Sequence, residues 1–200
     1  LRIVKDKKCK WCGTVFRPYK TTDKFCSTYC FIDDHKEKEW KKEVKIRKEK
    51  LKTHKDYIKD FQVIINKLIR IIDFGHNCIS CGRNGKPQSG HYHSTQANPS
   101  LRFNLFNIWL QDYYCNVQLS ANIIGYNKGL INEFGIQLKE YIETGLVAEI
   151  REIKPSIPEL KEAIEKTKQI IKQLPKEKIY SKSERIELRK KFNEEIGIYK

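Results

Sequence analysis

The feature that most restricts what this chain can fold into is the placement of its seven cysteines, at positions 9, 12, 26, 30, 78, 81 and 115. Cys9-x2-Cys12 and Cys78-x2-Cys81 have the spacing at which a tight turn aims two thiolates at one metal ion. No basic-then-apolar leader precedes them, so zinc is expected rather than disulfide bonding. Residues 5–31 read KDKKCKWCGTVFRPYKTTDKFCSTYCF and add Cys26-x3-Cys30 to the first pair. Four thiolates close one tetrahedral shell, which leaves no open position for chemistry. So short a segment has little apolar core, and metal binding would supply most of its folding free energy.

Composition enters where partners are concerned. Only 39% of the 200 residues are hydrophobic and 32% are charged, which suits small modules better than one large core. No apolar run is long enough to cross a bilayer. With no leader pattern, an intracellular soluble protein is expected. The absence of Met, position 1 included, suggests a processed start, a clipped fragment or an unusual start codon. The net charge of +15 is unevenly spread: +9 over residues 1–60, +1 over 61–150 and +5 over 151–200. Such a basic excess favours polyanionic partners, with the flanks supplying most of the grip.

Residues 31–54 are almost wholly charged, with neither Gly nor Pro. Glu37–Lys41 and Glu43–Arg47 are favourable i,i+4 pairs, so an exposed bridging helix is expected. Residues 57–72 place Phe61, Ile64, Ile65, Leu68, Ile69 and Ile72 on one helical face, ended by Gly75. That face should pack on the segment that follows. Ser156-x-x-Glu159 is a capping box opening a helix that runs to Pro175. A second helix should start near Ser183, with Ile186, Arg189 and Phe192 turned inward or half-buried. The pair reads as a helical hairpin with basic outer faces, serving as a packing arm or a DNA contact.

The chemistry lies in residues 78–122, CISCGRNGKPQSGHYHSTQANPSLRFNLFNIWLQDYYCNVQLSAN. The Cys78/Cys81 knuckle is followed by Gly90-His91-Tyr92-His93, which alternates as a strand does. A turn at Asn98-Pro99 comes next, then Asn107-Ile108, then Asp112-x2-Cys115-Asn116 opening a helix. Tyr92, Trp109, Tyr113 and Tyr114 read as core residues.

This order resembles the HNH, or ββα-metal, finger: His closing the first strand, Asn in the second, a metal ligand opening the helix. His91 to Asn107 is 16 positions and Asn107 to Asn116 is 9, close to what HNH endonucleases show. The resemblance implies that His91 activates a water. It implies that Asn107 orients the imidazole through its carboxamide or its backbone carbonyl. It implies that Asn116 binds a catalytic Mg²⁺ or Mn²⁺ at the scissile phosphate. Many HNH enzymes carry a second ligand directly before the base, where this chain has Gly90. Arg102 could clamp a phosphate, and His93, two residues on from His91, could contact substrate.

The segments CISCG, SGHYHSTQANPSLRFNLFNI and YYCN, with a later Gly-Tyr-x3-Leu-Ile stretch, resemble the phage NinG (Rap) recombination family. That family carries Cys where this chain has Asp112 and His where it has Trp109. A second zinc shell would then be Cys78, Cys81, Asp112 and Cys115, with His76 as the alternative ligand. The family implies a structure-selective endonuclease acting on branched DNA, Holliday junctions and D-loops, in the cytoplasm of a phage-bearing host. Cutting both strands of a junction would suit a homodimer. The expected architecture is helix-dominated α+β: a four-cysteine zinc knuckle at 1–32, a charged bridging helix at 33–56, an HNH-like nuclease domain at 57–147 and a basic helical tail at 148–200. The competing readings are a zinc-containing protein that binds branched DNA without cutting it, and an RNA-binding or interaction protein.

Overall fold

A computed structural model describes residues 5–150 and 152–199. The chain forms two compact units that divide between Lys52 and Thr53. In the first, β1 (Lys7–Lys8) pairs antiparallel with β2 (Val15–Phe16). Helix α1 (Thr28–Lys50) follows and opens on Ser27, whose Oγ accepts the Cys30 N–H at 3.3 Å. α1 starts three residues earlier than its charge pattern suggests, because Ser27 supplies a cap that lets Cys30 sit inside the first turn. It is a polar helix, with the expected Glu37–Lys41 pair at 2.9 Å and Trp40 mostly exposed. An apolar seam is missing, as expected for a solvated helix.

The second unit is built around α2 (His54–Ile72), which opens on a Thr53/Asp56 capping box. Phe61, Ile65, Leu68, Ile69 and Ile72 are fully buried along one face. Burial of each is worth about 1.5–3 kcal/mol, which fixes α2 as the spine of the unit. Across it lies a two-stranded antiparallel ribbon, β3 (Pro87–His91) with β4 (Ile108–Asp112), in the register Gly90↔Trp109 and His91↔Ile108. Alternate β4 side chains enter two cores. Ile108 joins α2, and Trp109 joins a second cluster with Tyr92, Tyr126 and Leu130. After β4 the chain makes a π-helical turn (Tyr114–Gln118), then α3 (Ile123–Phe134), α4 (Ile136–Glu140), a second π-helical turn (Tyr141–Gly145) and α5 (Leu146–Glu149).

The last two helices, α6 (Ile157–Gln173) and α7 (Lys182–Ile196), are not a tail set apart from this unit. Leu160, Ile164 and Ile171 of α6 share the core of α2, so α2 packs on α6 as well as on the ribbon that follows it. The expected capping box at Ser156/Glu159 opens α6. A second box, Ser181/Glu184, starts α7 at Lys182, just ahead of Ser183. Arg185 and Arg189 of α7 are buried, 2% and 0% exposed, and both reach Asp73 at the end of α2. Arg185 also pairs with Glu133, and the Arg189 guanidinium lies 3.7 Å from the centre of the Trp109 ring. The inner face of α7 is thus the cationic one, an arrangement tolerable only because Asp73 meets both guanidiniums.

Candidate functional site

Each C-x2-C pair forms the same knuckle. In the first, Cys9 N–H donates to Thr14 O (2.8 Å) and Gly13 N–H donates back to Cys9 O (3.0 Å). In the second, Cys78 N–H donates to Arg83 O (3.0 Å) and Gly82 N–H to Cys78 O (2.8 Å). Both returns need a left-handed residue, and both have glycine there, at φ +75° and +69°. All seven thiols are free. The sulfurs of Cys9, Cys12, Cys26 and Cys30 form one group, and those of Cys78, Cys81 and Cys115 form another with an Asp112 carboxylate oxygen. Within each, the ligand atoms lie no more than 4.8 Å apart. Cys12–Cys26 and Cys26–Cys30 are separated by 3.6 and 3.5 Å. A tetrahedral zinc–thiolate shell with bonds of about 2.3 Å sets its sulfurs roughly 3.8 Å apart, so the fit is close.

The acidities set what each group would need in order to ligate a metal. Burial pushes Cys9 up, but surrounding backbone N–H groups outweigh it and bring the thiol down to about 6. Its neighbours Cys30 and Cys12 push Cys26 up to about 12. In the second group burial drives Cys115 to about 12. The Cys115 N–H, 2.6 Å from Oδ1, lowers Asp112. Thiolates and a carboxylate this close ionise together only around a metal such as zinc. Arg83 Nε and Asn122 Nδ2 point at the sulfurs of Cys81 (3.5 Å) and Cys115 (3.4 Å), orienting the ligands from outside. His76 is not part of this group, since its Nε2 is 2.8 Å from Tyr180 O.

His91 ends β3. Its Nε2 lies 2.9 Å from the Arg102 carbonyl. A carbonyl only accepts, so Nε2 carries the proton and Nδ1 keeps its lone pair. Burial lowers the His91 pKa below its ordinary value, against the pull of that carbonyl. The ring is therefore a neutral base at pH 7.

The expected orienting contact from Asn107 is absent, and the Arg102 backbone takes its place. Asn107 is fully buried; its Oδ1 accepts His93 N–H (2.8 Å) and its Nδ2 donates to His93 O and Leu101 O (3.1 Å each). It ties both ends of the 92–106 loop together, and so holds Arg102 where His91 needs it. Among the described residues the Arg102 guanidinium forms no hydrogen bond or ion pair. His93 falls beyond the end of β3, and its Nε2 is engaged with Ile142 O at 2.8 Å, which makes it a brace between loop and helix.

Asn116 stands in the π-helical turn between Cys115 and the left-handed residues Ser120, Ala121 and Asn122. A Cβ placed on Gly90 would come within 3.0 Å of Asn116 Oδ1. Asn116 therefore reaches the residue directly before His91. Alternation along β3 turns the His91 ring to the other face, so the imidazole and the carboxamide flank one strand instead of sharing a pocket. Tyr92 and Trp109 are core, as expected, whereas Tyr113 and Tyr114 are 42% and 51% exposed, with Lys86 and Arg83 over their rings.

Comparison with known proteins places these features. A family model described as the bacteriophage lambda NinG protein matches residues 2–177. A NinG protein of Escherichia phage lambda is 41% identical over 103 residues, 50% of each chain. One from Escherichia phage 933W is 41% identical over 106 residues, 52% of this chain and 53% of its own. One from Enterobacteria phage H19B is 39% identical over 161 residues, 69% of this chain and 80% of its own. The chain thus spans about half the length of the first two relatives. No solved structure matches. With residues 2–177 accounted for by a single family model, this chain belongs to the NinG family.

Proposed function

We propose that the chain is a metal-dependent endonuclease of the ββα-metal type that hydrolyses phosphodiesters in branched DNA such as Holliday junctions and D-loops. The observation that carries the reading is His91: a neutral imidazole, proton fixed on Nε2 by the Arg102 carbonyl, whose Nδ1 has no hydrogen-bond partner among the described residues, at the end of a strand whose preceding residue faces Asn116. Nδ1 would take the proton of an attacking water. Arg102, whose carbonyl positions the base, has a guanidinium free to hold the phosphate. Asn116 would hold Mg²⁺ or Mn²⁺ on the opposite side of β3 from the imidazole. A phosphate meeting both would have to lie across the end of the strand, where His91 is the last residue; the cation would supply charge neutralisation there.

The two Cys-rich groups would hold structural Zn²⁺, one bracing β1 and β2 on α1, the other locking the knuckle to the end of β4. The net charge of +15 suits a DNA partner. The branched substrate, the host cytoplasm as its place of action and the possible homodimer rest on the family resemblance. Among the described residues no helix is long and apolar enough to cross a membrane.

The test is cleavage of a synthetic four-way junction with Mg²⁺ or Mn²⁺ by wild type and His91→Ala, with zinc content measured on both. Wild type should cut, and the variant should bind the junction equally well and cut at least about a hundredfold more slowly. Full cleavage by the variant would remove the assignment. Junction binding by wild type without cleavage under any divalent cation would point instead to a zinc-containing DNA-binding protein.

A further inference from the structure

We propose that Gln111 supplies a second protein oxygen to the cation site at Asn116, in place of the ligand that Gly90 cannot carry; this rests on the reading above. Gln111 lies in β4, every residue of which is buried, and its own exposure is 0%. The orientation of its amide is fixed. Nε2 donates to Ser80 Oγ (2.5 Å) and to the Ala121 carbonyl (2.6 Å), and a carbonyl cannot donate, so the amide cannot be turned round. Oε1 consequently points the other way, and there, among the described residues, it has no hydrogen-bond partner. Fully buried acceptors without a partner are rare and call for an explanation.

Oε1 is aimed at Gly90. A Cβ on Gly90 would overlap Gln111 Oε1 outright and lie 3.0 Å from Asn116 Oδ1. The fixed Gln111 oxygen and the Asn116 carboxamide thus meet at the space beside one glycine Cα, and with the Asn116 oxygen turned inward neither has a proton to offer the other. Neutral amide oxygens of this kind are ligands for Mg²⁺, Mn²⁺ and Ca²⁺. The local backbone is shaped to keep Gln111 in place. Ser120, Ala121 and Asn122 are all left-handed, at φ +47°, +74° and +44°, which is costly for side chains larger than glycine and presents the Ala121 carbonyl to Nε2. Gly90 is then permissive twice, because its missing side chain makes room for the oxygen that takes over the ligand's task.

The experiment uses the full, zinc-loaded chain and Mn²⁺ as probe. Mn²⁺ affinity is measured by electron paramagnetic resonance for wild type, Gln111→Met and Asn116→Ala, with zinc content and circular dichroism as checks on folding. Gln111→Met should weaken Mn²⁺ binding by about tenfold or more. In wild type, substoichiometric Mn²⁺ should broaden the side-chain amide resonances of both Gln111 and Asn116 before others, a readout that needs no variant to fold. Loss of binding in Asn116→Ala with unchanged affinity in Gln111→Met would overturn the role of Gln111 and leave the Asn116 site standing. An Asn116 amide group that donates to Gln111 Oε1 and ignores Mn²⁺ would overturn it also. No saturable Mn²⁺ binding by wild type would remove the site itself, and with it the metal-dependent reading.

Discussion

Replacing Asp73 by Asn tests what holds the ribbon of the candidate site in place. The Asp73 carboxylate accepts Arg185 Nε at 2.9 Å, Arg189 Nη2 at 3.0 and 2.8 Å, and the Leu110 N–H of β4 at 3.0 Å. Asn preserves shape and removes the charge. Arg185 keeps Glu133, but Arg189 is left with the carbonyls of Leu105, Arg185 and Ile108. A buried guanidinium without its counter-ion costs about 3–5 kcal/mol, which raises the unfolded fraction by roughly two to four orders of magnitude. With a urea slope of about 1–3 kcal/mol per molar, the midpoint should fall by at least about 1 M.

Trp109 is the natural probe, because Arg189 stacks on its ring. In a Trp11→Phe/Trp40→Phe background its emission reports the second unit alone. Burial alone would raise the Asp73 pKa, but the two guanidiniums outweigh it and lower it below the usual carboxylate range. Its contribution is therefore fully present above the unfolded value of about 3.9 and is lost as pH falls through the lower folded value; the Asn variant should lack this acid limb. A urea midpoint within about 0.3 M of wild type would refute the reasoning, because it would mean that the ion network contributes little.

Asp112→Cys should convert the second metal group to four thiolates and slow zinc loss to a chelator, read as metal release over time; faster release would show that Asp112 is not a ligand. The depressed His91 pKa means that the base stays deprotonated at more acid pH, so cleavage rate should decline only below about pH 6.5, the usual His value. An inflection above pH 7 would contradict the burial argument. Asn107→Ala should unpin the 92–106 loop and destabilise the second unit by about 2–4 kcal/mol, since several buried partners lose their hydrogen bonds together. A variant of wild-type stability with reduced cleavage would instead place Asn107 at the chemistry.

The metal groups were legible in the sequence because ligand spacing is a local property. Cys78, Cys81, Asp112 and Cys115 could be nominated even though Asp112 lies 31 positions beyond Cys81. The helical face of α2 was legible for the same reason: a 3.6-residue period states that a stripe is buried. It does not state against what, and α6 emerged as a partner only from the structure. His91 and Asn116 could be singled out by order, but their placement on opposite sides of β3 depends on strand register. The Arg102 carbonyl was invisible, since any residue type offers one. Arg189 was turned inward by the helical period of α7, as its 0% exposure bears out, but Arg185 was hidden by its chemistry, because a basic residue on a charged helix reads as surface until a buried Asp73 is found beneath it. The Ser181/Glu184 box, by contrast, is a local signal that the sequence carries in full.

The contacts that brace the ribbon also set an order of events during synthesis. Asp73 awaits a guanidinium 116 positions downstream, and the Leu105 N–H awaits the Asn193 carboxamide 88 positions on. Tyr199 closes the same region by accepting Phe103 N–H. A nascent chain can assemble its first cysteine group early, but the strand bearing His91 gains these contacts only when α7 has left the ribosome. Under the proposed function, cutting would have to wait for the synthesis of α7.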